Sequence, residues 1–202
     1  MSELGQLHET YVHGRRVAVL CEQFAGLLPR DATVLDVGCG DGLLAALIQE
    51  RRPDVRIRGI DVMVRKSTRI PVEMFDGTMI PCGDRGVDAV MLVDVLHHAE
   101  EPEVLLRDAV RVAAKTILLK DHTTDGVFAG STLRLMDWVG NSRHGVPLPY
   151  WYWTRQQWLD VAERLQLSID VWRSDLRLYP WPATLVFDRS LHFIARLNRR
   201  DA

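Results

Sequence analysis

The segment VLDVGCGDG, residues 34–42, places three glycines at alternate positions directly after an apolar run. Glycine loses more conformational entropy on folding than other residues and adds no side chain to a core. The apolar run predicts a buried strand, and residues 41–52 predict an amphipathic helix with Asp41 as its N-cap. A turn between them exposes backbone N–H groups at a helix start, where a ligand can approach closely. The segment therefore indicates a ligand-binding strand–turn–helix unit.

The rest of the chain continues this alternation of strands and helices. Apolar patterning predicts four further strands, at residues 54–61, 70–75, 87–93 and 115–121. Helical spacing or capping signals predict helices at residues 8–28, 101–113, 130–140 and 154–165, the last with a Thr154–Gln157 capping box. Residues 167–197 predict two strands joined by a proline-interrupted loop. We therefore expect one α/β domain over residues 1–202, a doubly wound, Rossmann-like, seven-stranded and mostly parallel sheet with an antiparallel C-terminal edge strand.

Composition limits the classes of protein that the chain can belong to. It is 47% hydrophobic and 26% charged with a net charge of −2, which predicts a soluble protein without a nucleic-acid partner. The first residues are polar and acidic, and no apolar run is long enough to span a membrane. The three cysteines lack zinc-site spacing and are expected to be reduced thiols in the cytoplasm.

Two ligand classes use a glycine-rich turn between a strand and a helix. Dinucleotide enzymes carry G-x-G-x-x-G, but here the third glycine comes one residue early, at Gly42. The pattern D-x-G-x-G-x-G, from Asp36 to Gly42, instead resembles motif I of the class I S-adenosylmethionine-dependent methyltransferases. Asp61 at the end of the second strand, FDG at residues 75–77, and VDVLHHAEEPEVLLRDAVRV at residues 93–112 extend that resemblance over residues 30–120. They are similar to the small-molecule branch, which includes quinone-biosynthesis methyltransferases.

The resemblance implies S-adenosylmethionine as cofactor and a role for each matching residue. The backbone of the glycine turn would contact the methionine part, and Asp36 would order that turn or reach the methionine ammonium. Asp61 would hold the ribose hydroxyls. The remaining contacts would be to the adenine ring and the cofactor's carboxylate. The full set of expected cofactor residues is Asp36, Gly38, Cys39, Gly40, Asp61, Val62, Met63, Asp76, Gly77, Val93 and Arg16.

The methyl acceptor is expected to be a small molecule methylated at oxygen or carbon. Asp94-Val95-Leu96-His97 lacks the (N/D)-P-P-(Y/F) motif of enzymes that methylate exocyclic amines. A hydroxyl acceptor needs a base, and side chains beyond the strand ends are suitably placed for that role. The candidates are His97, His98, Asp121 and His122. A histidine at a strand end can also simply bond the backbone. Asp94, Asp121 and His122 could in principle ligate a divalent ion, but because no clear pattern of acidic ligands is present, no metal is expected.

Two segments of the chain are expected to cover the site. The resemblance implies an N-terminal helical cap at residues 1–29, where Tyr11 and His13 are further candidate contacts, and an acceptor-side insertion at residues 123–153. Within the insertion, residues 135–153 hold an aromatic run beside a few polar groups, which suits an apolar or aromatic acceptor. Ordinary loop packing or a homodimer surface is the alternative.

Three alternative functions stay open at this point. The chain could be a non-catalytic cofactor-binding module of the same fold. It could be a nucleotide-dependent oxidoreductase, which the glycine spacing disfavours. It could methylate RNA or protein, for which the arginines between Arg196 and Arg200 give slight support.

Overall fold

The computed structural model describes residues 14–141, 151–188 and 190–200, and within these the chain forms a seven-stranded sheet between two layers of helices. The strands are β1 (Thr33–Val37), β2 (Arg56–Asp61), β3 (Val72–Met74), β4 (Val87–Val93), β5 (Ala113–His122), β6 (Leu167–Arg173) and β7 (His192–Arg199). The helices are α1 (Gly14–Leu27), α2 (Leu43–Arg51), α3 (Pro102–Val112), α4 (Ala129–Asn141), α5 (Arg155–Arg164) and the short α6 (Thr184–Phe187). Each predicted strand and helix is present, although the predicted start of the first helix, residues 8–13, lies outside the described residues.

The order of strands across the sheet is β3-β2-β1-β4-β5-β7-β6. The first five strands are parallel to one another, and β7 runs antiparallel to both β5 and β6. The antiparallel C-terminal strand, β7, is therefore the second strand from one side of the sheet, and β6 is the outermost strand on that side. Because His122 at the end of β5 pairs with His192 at the start of β7, the two residues share the edge where the parallel strands end. We call this the carboxyl edge.

Alternating strand residues fill two apolar cores, one on each face of the sheet. Val34 and Met91 point to the face covered by α1 and α2, where Phe24 is fully buried. Leu35 and Leu92 point to the opposite face, covered by α3 and α5. Burying these side chains from water is the main favourable term in folding. With both faces covered, the carboxyl edge is where ligands bind in open α/β sheets.

Three details refine the sequence predictions. The predicted capping box is present, since the Thr154 side chain accepts from Gln157 N and the Gln157 side chain accepts from Thr154 N. The prediction that Asp41 is the N-cap of α2 is wrong, because Gly42 occupies that position with a left-handed φ of 78°. The Asp41 carboxylate instead accepts from Leu43 N at 3.0 Å. None of the helices within the described ranges could cross a membrane.

Candidate active site

The glycine loop after β1 is held open beside the end of β2. Gly38 N donates to the Ile60 carbonyl at 2.8 Å and has a left-handed φ of 72°, and a Cβ there would lie 2.5 Å from the Val95 side chain. Only glycine satisfies both conditions without displacing Val95. Gly40 also has a left-handed φ, of 60°, yet nothing lies within 4 Å of where its Cβ would be. The loop therefore presents bare backbone to open space at Gly40.

Asp61 connects the end of β2 to this loop. One of its carboxylate oxygens accepts from Gly40 N at 2.8 Å, and the other accepts from Met63 N at 2.9 Å. Val62 and Met63 follow directly and are 58% and 41% exposed. A buried carboxylate beside exposed apolar side chains suits a ligand with a polar sugar and a flat ring.

Asp36 is a buried carboxyl group without a hydrogen-bond donor among the described residues. Burial, followed by the nearby negative charge of Asp61, raises the pKa of Asp36 to about 7. A buried charge without a partner is costly, so a cationic ligand group here would restore the ionised form. Burial likewise raises the pKa of the Cys39 thiol, so Cys39 contributes backbone and packing here and is a poor nucleophile.

Asp76 has a different set of contacts from those at the glycine loop. Its carboxylate accepts from the backbone N–H groups of Thr78 and Met79, at 2.7 and 2.8 Å, and from the Thr78 hydroxyl. These bonds hold the pKa of Asp76 below its ordinary value. Gly77 beside it has a left-handed φ of 88°. The adenine contact expected of both residues stays a prediction.

The four candidate catalytic residues lie together where β4 and β5 end. His97 Nδ1 lies 2.7 Å from Asp121 Oδ1, and that oxygen also accepts from His122 N at 2.8 Å. The His97 ring lies 4.0 Å from the His98 ring and 4.5 Å from the His122 ring, centroid to centroid. Asp121 and His122 are the last two residues of the ten-residue β5, whereas they were expected to lie beyond the end of the strand. Except for His98, which is half-buried, these side chains are buried.

Asp94 forms a second, charged part of this cluster. Its carboxylate is ion-paired with Lys120 of β5 and with Arg16 of α1. Burial alone raises the pKa of Asp94, but the charges of Arg16 and Lys120 outweigh that effect and the pKa is lowered. Burial, aided by the Lys120 charge, lowers the pKa of His122, which is therefore neutral at neutral pH. Arg16, expected on the cofactor's carboxylate, thus has Asp94 as a partner in this structure.

Two residues of the cluster were missed in the sequence. Lys120 is completely buried and contacts both Asp94 and His192, whose Nδ1 lies 3.2 Å from the ammonium. A lysine near the end of the apolar run TILLKDH was the available signal, because lysine is almost never fully buried unless it is paired. His192 gave no such signal, since only the pairing of β7 with β5 brings it to the carboxyl edge.

Asp94, His97 and His122 also offer three ligand atoms within 4.8 Å of one another. A divalent cation at these atoms would compete with the Lys120 ammonium and the Arg16 guanidinium for the same carboxylate. The expectation of no metal stays a prediction.

Among the described residues of the aromatic run, Tyr152 contacts the histidines. Tyr152 stacks on His97 with ring centroids 5.8 Å apart and meets the His122 ring edge-on at 6.0 Å. Trp153 packs against Trp158 and the apolar core, and its place in the acceptor pocket stays a prediction. Trp138 and Trp151 are 59% and 52% exposed. Tyr11, His13 and residues 142–150 of the aromatic run lie outside the described residues.

The sheet order, the glycine loop and the acids at the strand ends define the class I S-adenosylmethionine-dependent methyltransferase fold. Residues 9–171 match the family described as methyltransferase domain, and the chain belongs to that family. This match confirms the family resemblance of the sequence motifs, and the fold of the family implies binding of S-adenosylmethionine.

Curated relatives match over part of their length. An uncharacterized methyltransferase of Mycobacterium tuberculosis (strain H37Rv) is 40% identical over 80 residues, which cover 36% of this chain and 41% of the relative. The 27-O-demethylrifamycin SV methyltransferase of Amycolatopsis mediterranei is 29% identical over 108 residues, which cover 46% of this chain and 39% of the relative. The chain therefore spans less than half the length of these relatives.

A solved structure matches over most of both chains. A methyltransferase of Haloferax volcanii, in complex with the Trm112 methyltransferase activator, superposes with a TM-score of 0.69 at 14% identity, covering 91% of this chain and 90% of that chain. At this identity the likeness shows the fold.

Proposed function

We propose that the protein transfers the methyl group of S-adenosylmethionine to a hydroxyl group of a small molecule bound at the carboxyl edge. The observation that carries this proposal is the buried His97–Asp121 pair at the ends of β4 and β5. Val95, two residues before His97, lies against Gly38 of the glycine loop. The relative from Amycolatopsis mediterranei, whose name describes an O-methyltransferase of a small molecule, supports the choice of oxygen.

The cofactor fits the residues around the glycine loop. Asp36 would face the methionine ammonium, which supplies the positive charge that this unpartnered buried carboxyl group lacks. Asp61 would accept from the ribose hydroxyls while keeping its bond to Gly40 N. The open space at Gly40 leaves room for the ligand to pass close to the backbone. Val62, Met63 and Val93 would provide apolar contacts.

His97 would act as the general base. With its Nδ1–H held by the Asp121 carboxylate, the ring keeps the tautomer in which Nε2 accepts a proton. Asp121 then stabilises the imidazolium that forms as the hydroxyl proton arrives. When bound, the cofactor would supply an activated methyl group for transfer to the acceptor oxygen. The residues of the protein would align the acceptor oxygen with the methyl group and remove the hydroxyl proton.

Tyr152 would cover the base. It stacks on His97 and belongs to the segment that leads from the acceptor-side insertion into α5. An acceptor entering here would meet aromatic walls, so an apolar or aromatic small molecule is the expected class.

Calorimetry on the purified chain tests the cofactor assignment. We expect S-adenosylhomocysteine, the demethylated product, to bind at one site per chain and NAD to show no binding. Affinity for NAD without affinity for S-adenosylhomocysteine would overturn the proposal.

A further inference from the structure

A cavity at the carboxyl edge lies beyond the histidine cluster, on the side away from the glycine loop. Its volume is about 600 Å³, and it is open to solvent between Arg15 of α1 and the connection from β6 to β7. The connection lies at this edge because Arg173, which ends β6, pairs with Ile194 near the start of β7. A volume of this size is typical of small-molecule pockets.

A chain of ring contacts joins this cavity to the histidines. Tyr179 lines the cavity, and its ring centroid lies 5.7 Å from that of His192. The His192 ring in turn lies 4.8 Å from the His122 ring. The cavity is therefore connected to His97, the proposed base, through the rings of Tyr179, His192 and His122.

The walls of the cavity include apolar side chains that are exposed to solvent. Trp181 is 79% exposed and Leu185 is 66% exposed, and both line the cavity. Large apolar side chains left in water around a concave surface mark binding sites more often than isolated ones do. An indole offers a flat face on which an aromatic ring can stack.

The charged groups of the cavity favour an anion. The Asp188 carboxylate already accepts from Leu178 N, Tyr179 N and the Thr184 hydroxyl, so it serves the fold of the connection. Asp175 lies 3.6 Å from Arg177 with both side chains more than three-quarters exposed, and a pair of that kind is weak. Arg15 donates to the Arg177 carbonyl, and among the residues described here no carboxylate lies within ion-pairing distance of it. Two guanidinium groups are therefore available to a ligand.

We propose that this cavity binds the part of the acceptor remote from the methylated oxygen, and that the acceptor is a planar aromatic molecule bearing an anionic group. The ring would stack on Trp181, and the anionic group would pair with Arg15 and Arg177, whose planar forks suit carboxylate and similar groups. The proposal rests on the proposed function in taking the cavity as part of the acceptor site.

A pair of fluorescent probes tests the cavity without knowledge of the acceptor. 8-Anilinonaphthalene-1-sulfonate is aromatic and anionic, and N-phenyl-1-naphthylamine has the same rings without the sulfonate. We expect Arg177→Gln and Arg15→Gln each to weaken binding of the anionic probe about tenfold, the loss for removing a charged hydrogen bond, and to leave the neutral probe unaffected. Asp175→Asn should tighten binding of the anionic probe, since it releases Arg177, and Arg177→Lys should keep part of the affinity.

Arg107→Gln is the matched control, because Arg107 forms a similarly loose pair with Glu103, at 3.4 Å, on α3. Equal losses for the two probes, no loss in either arginine variant, or the same loss in Arg107→Gln would overturn the proposal. Calorimetry with S-adenosylhomocysteine on the same samples separates the two claims. Failure of that ligand to bind would count against the proposed function, whereas the probes report on the cavity alone.

Discussion

His97 Nδ1 lies 2.7 Å from Asp121 Oδ1, and the two side chains are 2% and 3% exposed. The two residues are far apart in the sequence. They come into contact because β4 and β5 are neighbouring parallel strands that both end at the carboxyl edge. The backbone N–H of His122 donates to the same oxygen, which fixes the carboxylate. A buried, fixed carboxylate on Nδ1 is the arrangement that prepares an imidazole to accept a proton at Nε2.

His97→Gln should lower kcat about 100-fold or more and leave the affinity for S-adenosylhomocysteine unchanged, since general-base catalysis contributes on that scale. His98→Gln is the matched control, because His98 is adjacent in sequence but does not have the Asp121 contact described for His97. A larger loss in His98→Gln than in His97→Gln would transfer the role of base to His98. Initial rates and calorimetry on the three proteins give both quantities.

Asp61→Ala should weaken binding of S-adenosylhomocysteine by about 1.5–3 kcal/mol, the scale for hydrogen bonds to a charged group that are left unmade. The change removes the proposed ribose contact and also the acceptor for Gly40 N. Asp88→Ala is the control, since Asp88 accepts from Thr33 N but lies at the opposite edge of the sheet. Unchanged affinity in a folded Asp61→Ala variant would remove this residue from the cofactor site.

Gly40→Val should abolish cofactor binding, because its side chain would fill the open space beside the loop and its backbone would be strained. Gly126→Val separates these two causes. Gly126 also has a left-handed φ, of 114°, and open space around it, but it lies in the connection from β5 to α4. Calorimetry should show normal affinity for S-adenosylhomocysteine in Gly126→Val, and an equal loss in both variants would point to strain alone.

Affinity for S-adenosylhomocysteine should rise with pH up to about 7 and then level off, following the pKa of Asp36. Below that pH the free protein holds Asp36 protonated, and pairing with the ligand's ammonium requires loss of the proton. Binding at pH 6 should therefore release a proton, which appears as a dependence of the calorimetric enthalpy on the buffer. Asp36→Asn should lose this pH dependence, and a proton uptake in the wild-type protein would contradict the assignment.

The positions of the residues expected to bind the cofactor were predictable because these residues lie in short contiguous motifs. The glycine turn, Asp61 and the FDG segment each follow a strand that apolar patterning predicts, so their position at the carboxyl edge follows from topology. The N-cap of α2 was not predictable, since the left-handed Gly42 lies against Ile70 from a distant part of the chain and a Cβ there would be 2.5 Å from that side chain.

The residues expected on the acceptor side were predicted to lie at one edge of the sheet, but their contacts with one another were not predicted. Patterning places His97 and Asp121 at one edge, yet it does not show that they pair or that Asp94 pairs with Arg16 and Lys120. These contacts join α1, β4 and β5, and His192 adds β7. Contacts between residues so far apart in the sequence depend on side-chain packing across the sheet. Local sequence patterns do not predict that packing.

Methyl transfer itself is the most direct test of the central claim. The purified protein is incubated with methyl-labelled S-adenosylmethionine and a cell extract, and the small-molecule, RNA and protein fractions are then separated and counted. We expect the label in the small-molecule fraction, as an ether of an aromatic and anionic compound, and its loss with His97→Gln. Label confined to RNA or protein, or an undiminished small-molecule product with His97→Gln, would contradict the account.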